Sequence, residues 1–309
     1  MKFSQIRDVV AIVDRGSLRA AAQHLGLAQP ALTRSIRELE HELGAPLFER
    51  QARGMRLTRL GEAFIHRARA IQSEVVRARE EFDQLRGLTT GAVTVALSMV
   101  SNILFLPAII KPFQARFPGV RLKIIEGLFP HLSERVSDGE IDFYVGPVVD
   151  QPLSRAFTLE TLFANERVVL GRIGHPLVGV SSLAGLTSAR WIGTSSSLNR
   201  ESELGAVFEM HGLMAPRIDI EVTSALSTIM IAATTDLLAM LPRQYLGHPG
   251  ARDVLAPIEV AERLAAPDMC LIKRSSLPLT PAAEYLADLV QRAALQERVS
   301  GAIGATGGH

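Results

Sequence analysis

A chain of 309 residues has room for about two or three globular units. With 47% hydrophobic and 21% charged residues it excludes wholesale disorder, and its one cysteine, Cys270, excludes an internal disulfide framework and fits a reducing compartment. Net charge is +1, but residues 1–90 hold 15 Lys/Arg against 11 Asp/Glu while the remainder holds 18 against 21, so the N-terminal part is the one expected to meet phosphate.

The start is amphipathic, with Arg7 and Asp8, and lacks the apolar core of a signal peptide, so a cytoplasmic chain is expected. Ser4 can cap a first helix with apolar positions Ile6, Val9, Val10 and Val13, ending at Gly16. Ser17 caps a second, Ala-rich helix, and Gly26 suits the tight corner of a helix-turn-helix. A third helix opens at Gln29-Pro30, since proline gives up only an amide that the first turn leaves unpaired anyway. Leu32, Ile36, Leu39 and Leu43 form its expected buried stripe, and Gln29, Thr33, Arg34 and Arg37 its opposite face.

A helix entering the major groove of double-stranded DNA needs short and forked hydrogen-bonding side chains near its N-terminus. Arg34 suits a guanine, Gln29 an adenine, and Thr33 a thymine methyl or a phosphate. The next segments, 47–50 and 55–57, read as two short strands around a turn at 51–54. They make a wing, with Arg50, Arg53 and Arg56 facing phosphates or the minor groove. A small helical bundle with a solvated face is the bland alternative; the joint occurrence of Gly corner, Pro-started helix and basic hairpin disfavours it.

From Thr58 to Gly87 the pattern is one long helix. Leu60, Phe64, Ala68, Ile71, Val75, Ala78, Phe82 and Leu85 recur every three or four residues, the seam of a coiled coil. A homodimer through this helix is expected, against the alternative of a helix packed on its own domain.

Residues 87–91 form a short hinge. Beyond it, strands at 93–97, 120–126 and 141–146 alternate with helices around 106–117 and 130–138, a βαβαβ pattern. A second set of strands follows at 166–171, 191–193, 218–222 and 237–241, and 269–274 with 281–296 returns to the first set. The apolar stretch 222–241 is broken by Ser, Thr and Asp236, which makes it a buried helix and strand rather than a membrane span. The Gly-rich end, 301–309, is expected to be a disordered tail.

Ligands of open α/β sheets sit beyond the carboxyl ends of the strands. That rule selects Ser98, Met99, Val100, Ser101 and Asn102, then Gly127, Leu128 and Phe129, then Gly146 and Pro147. From the second lobe it selects Thr194, Ser195, Ser196, Ser197, Thr223 and Ser224, with Arg200 the nearest counter-charge. Hydroxyls and free amides at helix starts favour a small anion, a carboxylate or sulfonate, or a polar sugar-like ligand. Each serine taken singly fits an ordinary helix cap equally well.

Four strings carry a resemblance: 16–25 (GSLRAAAQHL), 28–40 (AQPALTRSIRELE), 43–50 (LGAPLFER) and 57–61 (LTRLG). Together they resemble the LysR-type transcriptional regulators, and chain length and segment order fit that family over nearly the whole sequence. The resemblance implies DNA contacts by Gln29, Pro30, Thr33 and Arg34 from the recognition helix and by Arg53 from the wing. It also implies a two-lobed effector domain like that of periplasmic solute-binding proteins, and assembly from dimers into tetramers. Where many such proteins have glycines, this chain has Thr235-Asp236, in which it is similar to the branch governing sugar and aromatic-sulfonate catabolism.

The expected architecture is thus α+β overall: a winged helix-turn-helix at 1–58, a linker helix at 59–88, and a two-lobed α/β effector domain at 91–300. Its first lobe takes 91–160 and 267–300, its second 161–266. Expected partners are operator DNA, a small-molecule effector, further copies of the chain and RNA polymerase, with no membrane, metal or cofactor. Enzyme chemistry is disfavoured: the phosphate-loop, nucleophile-elbow and His-Glu-x-x-His signatures are all missing, and Cys270 sits inside a strand. A free solute-binding module has no use for the first sixty residues, and an architectural DNA-binding protein none for the two-lobed body.

Overall fold

Helix α1 (Phe3–Arg15) begins before Ser4, so Ser4 is not its cap as expected. The cap is Lys2, whose amide donates to the Gln5 side chain at 2.7 Å. Ser17 caps α2 (Leu18–Leu25), its Oγ accepting the Ala20 N–H at 3.2 Å. The corner after α2 turns on Gly26, whose φ of 65° strains any residue with a Cβ. In α3 (Gln29–Leu43) Leu32, Ile36 and Leu39 are buried against α1 and α2. Leu43, expected in the same stripe, is 43% exposed, because the last helical residue overshoots that core.

Strands β1 (Phe48–Gln51) and β2 (Gly54–Leu57) pair antiparallel, Phe48 opposite Leu57. Glu40 of α3 ties their start down, accepting the N–H groups of Leu47 at 2.8 Å and Phe48 at 3.2 Å. Helix α4 (Arg59–Leu85) follows, capped by Thr58, which accepts the Gly61 N–H at 3.0 Å. A Cβ on Gly61 would stand 2.1 Å from the Leu47 carbonyl oxygen, so glycine is what lets α4 seat against the hairpin. The computed structural model describes the chain apart from residues 52–53, 149–152, 195–202 and 307–309.

The remaining elements run β3 (Ala92–Leu97), α5 (Met99–Arg116), β4 (Arg121–Glu126), α6 (Phe129–Ser137), β5 (Phe143–Pro147) and β6 (Phe157–Arg172). Then come β7 (Arg190–Thr194), α7 (Glu203–Met210), β8 (Arg217–Val222), α8 (Ala225–Thr234) and β9 (Leu238–Pro242). The chain closes with α9 (Pro249–Arg252), β10 (Leu255–Ile258), β11 (Ala265–Arg274) and α10 (Pro281–Thr306). The strand order is β4-β3-β5-β11-β6-β9-β7-β8, with β10 beside β6. Pairs β3–β4, β3–β5, β7–β8 and β7–β9 are parallel; β11 and β6 introduce antiparallel pairing.

Strand β6 is the unexpected element. Its first part, through Glu166, pairs with β11; from Arg167 onward it pairs with β9 and β10. One strand therefore belongs to both lobes. The expected strand began only at 166, because residues 158–161 are exposed on β6 and show no apolar alternation. At the other end, the segment expected as a disordered tail continues α10 as far as Thr306, with Ala302 and Ala305 favouring helix and no proline to stop it.

Helix α4 turns two faces outward. One leaves Ile71, Val75, Phe82 and Leu85 exposed, at 39, 48, 61 and 73%. The other is polar and docks on the first lobe. Arg77 pairs with Asp142 at 2.9 Å and donates to the Gly139 carbonyl at 2.8 Å. Arg274 reaches Glu74 at 2.5 Å, and Ser73 donates to Gly139 O at 2.7 Å. Glu80 accepts the Ala92 amide at 3.0 Å, Gln84 accepts that of Ala282 at 2.9 Å, and His66 meets Asp138 at 3.1 Å. Burial pushes the Asp142 carboxyl up from its ordinary range, against the pull of Arg77, and pushes the Arg77 guanidinium down.

Candidate functional site

Two regions concentrate polar chemistry. On α3, Gln29, Pro30, Thr33, Arg34 and Arg37 border one open groove together with Glu38. Their spacing by three and four residues puts them on one face. Gln29, Pro30, Arg34 and Arg37 are exposed, whereas Thr33 is half-buried and its hydroxyl donates back to Gln29 O at 3.0 Å. The face is held from behind: Ser35 donates to Asp8 at 2.6 Å, and Asp8 also takes Arg7 at 2.9 Å. On the hairpin, Arg56 is exposed on β2 opposite Glu49, and Arg50 stands on β1. Arg53 lies outside the described residues.

The second region is a cleft of about 230 Å³ between the strand ends of the two lobes. Ser98, Met99, Val100, Gly127, Leu128, Pro147, Thr194, Thr223 and Ser224 stand on its wall. Four expected residues do not. Ser101 is fully buried and donates to Val145 O at 2.8 Å; Phe129 packs on Tyr144 and Phe157 with ring centroids 5.6 and 5.2 Å away. Asn102 turns its Nδ2 to Glu126 at 3.3 Å, and Gly146 is a packing position whose Cβ would meet the Tyr144 hydroxyl at 2.2 Å. Ser195, Ser196, Ser197 and Arg200 lie outside the described residues.

Ser98 caps α5 and Ser224 caps α8, accepting the amides of Ser101 at 3.2 Å and Ser227 at 3.4 Å. Both helices therefore open toward the cleft with first-turn amides, at Met99, Val100 and Ala225, that no intrahelical bond can use. The positive ends of two helix dipoles and the Arg167 guanidinium suit an anion there.

Sequence reasoning missed Glu126, Arg167, Thr228, Met240 and Tyr245, which also stand on the wall. Two had a signal. Glu126 is the last residue of its strand, and Arg167 is the charge directly before the apolar run Val168-Val169-Leu170. Arg167 donates to the Ala265 carbonyl at 2.5 Å, which fixes it across β6 and β11. A larger hollow, about 450 Å³, lies along the docked face of α4, but its side chains Arg77, Asp138, Asp142 and Glu80 already hold the partners described above. Among the described residues no cluster of His, Cys, Asp and Glu is arranged to hold a metal, and no helix is long and apolar enough to cross a membrane.

Family models match both parts of the chain. One described as the LysR substrate binding domain covers residues 86–295, and one described as a bacterial regulatory helix-turn-helix protein of the lysR family covers residues 3–62. The HTH-type transcriptional regulator GbpR of Azospirillum brasilense is similar at 28% identity over 246 residues, 79% of this chain and 72% of that protein. The regulator GalR of Pseudomonas putida is 28% identical over 278 residues, 90% and 70% of the two chains. Full-length CbnR, solved in complex with its target DNA, has a similar fold: TM-score 0.65 at 21% identity, covering 95% of this chain and all of that one (100%).

Proposed function

Since the chain belongs to the LysR family of DNA-binding transcriptional regulators with an effector-binding domain, we propose that the α3 face reads its operator and the inter-lobe cleft takes the effector. Arg34, Gln29 and Thr33 address base edges, with Pro30 fixing the helix start and Arg37 beside them. Arg50, Arg53 and Arg56 hold the wing to phosphates or the minor groove. The units are a DNA-binding part at 1–58, a linker helix at 59–88 and an effector-binding part at 91–300. The observation that carries the DNA reading is the exposed, convergent Gln29/Arg34/Arg37 face on a helix whose opposite side is buried.

The effector is a small anion, supported by the two helix starts and Arg167 at the cleft. Dimerisation through α4 is supported by its exposed apolar positions, and pairing of dimers gives a tetramer. Two recognition helices then meet two half-sites about one helical turn apart. The protein acts in the cytoplasm, has no catalytic role, and meets RNA polymerase at its promoters. Effector binding alters the relation of the lobes and, through the assembly, the spacing of the winged units on DNA.

Arg34→Ala tests the DNA half. It is expected to weaken operator binding by about 1–3 kcal/mol while leaving random-sequence binding and effector affinity nearly intact. Equal loss on operator and random DNA reassigns Arg34 to a phosphate contact. For the switch, footprint and bend of operator DNA are compared with and without effector; no change in either refutes it.

A further inference from the structure

Resting on the reading of the inter-lobe cleft as the effector site, we propose that the effector is a small organic acid that also carries hydrogen-bond donors, hydroxyl or ammonium, which Glu126 and Tyr245 select. A plain anion leaves part of this cleft unsatisfied. Glu126 ends β4 on the cleft wall, and a carboxylate there can only accept hydrogen bonds. Asn102 holds it, donating from Nδ2 to Glu126 Oε2 at 3.3 Å, and does so while its own Oδ1 stays buried with no partner among the described residues. That carboxylate repels an acid that offers it nothing but carbon.

Tyr245 stands on the same wall, only 8% exposed, and its hydroxyl has no hydrogen-bond partner among the described residues. Burial, reinforced by the negative charge of Glu126, pushes its pKa up to about 12, so it remains a neutral phenol able to donate and accept. The acid group of the ligand has its own place at Arg167 and the first amides of α5 and α8. A cleft of about 230 Å³ limits the ligand to a small metabolite.

The test uses the full-length protein and two matched pairs of probes, gluconate against hexanoate and alanine against propionate, with affinities from calorimetry and thermal shift. One donor-bearing acid is expected to bind at least roughly tenfold more tightly than its donor-free partner. Glu126→Gln is expected to reduce that preference about tenfold or more and Tyr245→Phe a few-fold. Preference in the gluconate pair identifies hydroxyl donors, and preference in the alanine pair an ammonium. Equal affinity within both pairs, or preferences untouched by either substitution, overturns the inference and leaves the cleft reading standing. If no probe binds, or binding survives Ala225→Trp, which fills the cleft, both fall.

Discussion

Replacing Arg77 by methionine is the most informative single perturbation of how the linker helix is fixed. The Arg77 and Asp142 side chains are 9% and 7% exposed and 2.9 Å apart, so neither solvent nor salt screens them much. The substitution keeps the apolar stem but leaves Asp142 buried, with the Thr94 amide at 2.7 Å its remaining close hydrogen-bond donor among the described residues and the Arg274 charge beyond. Removing one partner of a buried pair costs about 3–5 kcal/mol, mainly because the surviving charge is uncompensated. For a folded unit of this size each kcal/mol moves the melting temperature by about 2–4 °C, so a fall of roughly 6–20 °C is expected. Arg77→Met with Asp142→Asn is expected to recover part of it, since the Asp142 charge is removed together with its partner and asparagine still accepts from Thr94.

Acidification tests the same cause. Burial raises the folded pKa of Asp142 above its ordinary value, so its contribution to stability is full below the unfolded pKa and is lost as pH rises through the folded one. Loss of Arg77 raises that folded pKa further, because the guanidinium pulls it down in the native pair. The deficit of Arg77→Met relative to wild type is therefore expected to shrink as pH falls from about 8 to about 5. Differential scanning calorimetry measures the melts, and hydrogen exchange at Thr94 follows the site directly. A melt within about 2 °C of wild type, or a deficit independent of pH, refutes the reasoning.

Glu40→Ala strips the acceptor from the amides of Leu47 and Phe48 and is expected to cost about 1–3 kcal/mol, with Glu40→Gln largely neutral; equal urea midpoints for the two variants contradict this. Gly61→Ala drives a methyl into the Leu47 carbonyl oxygen and is expected to lift α4 off the hairpin, destabilising by about 1–3 kcal/mol despite alanine's better helix propensity; unchanged operator affinity and melting temperature speak against it. Val75→Glu with Phe82→Glu places charge on the exposed apolar face of α4; sedimentation that still reports the wild-type assembly shows that this face does not hold it together.

What could be read in advance followed from local chemistry. Ser17 and Thr58 each stood before an apolar period and each caps a helix, and the apolar spacing of α3 and α4 set their faces. The failures have local causes too. Lys2 is the cap of α1, its amide taken by Gln5 from inside the first turn, so Ser4 lost the role its residue type suggests. The helix expected only around 106–117 in fact begins at Met99 and runs through Pro107 and Pro112. At the cleft, the strand-end rule selected loop residues from sequence neighbours alone. It could not distinguish Ser98 on the wall from Ser101 behind it, because that depends on how β3 and β5 pair. Tyr245 and Arg167 reach the cleft through the path of β6 and β9, which no window of sequence contains. The polar face of α4 was invisible for the same reason: Arg77 and Asp142 are 65 residues apart.

That β6 crosses from one lobe to the other without a break constrains the kind of movement a ligand can drive. Lobes hung on loose tethers can swing; lobes threaded on one ladder must keep its hydrogen bonds, and the soft coordinate left to them is twist about the strand. The change of partners falls between Glu166 and Arg167, so Arg167, on the cleft wall, sits where such a torsion bar would be wound. Under the proposed effector reading, a ligand seated there would deliver torque rather than closure. With α4 bolted to the first lobe, that torque has a lever roughly 40 Å long on which to act, since 27 residues rise about 1.5 Å each. A rotation of a few degrees in the cleft is then enough to shift the far end of the lever by ångströms, the scale on which half-site register is decided.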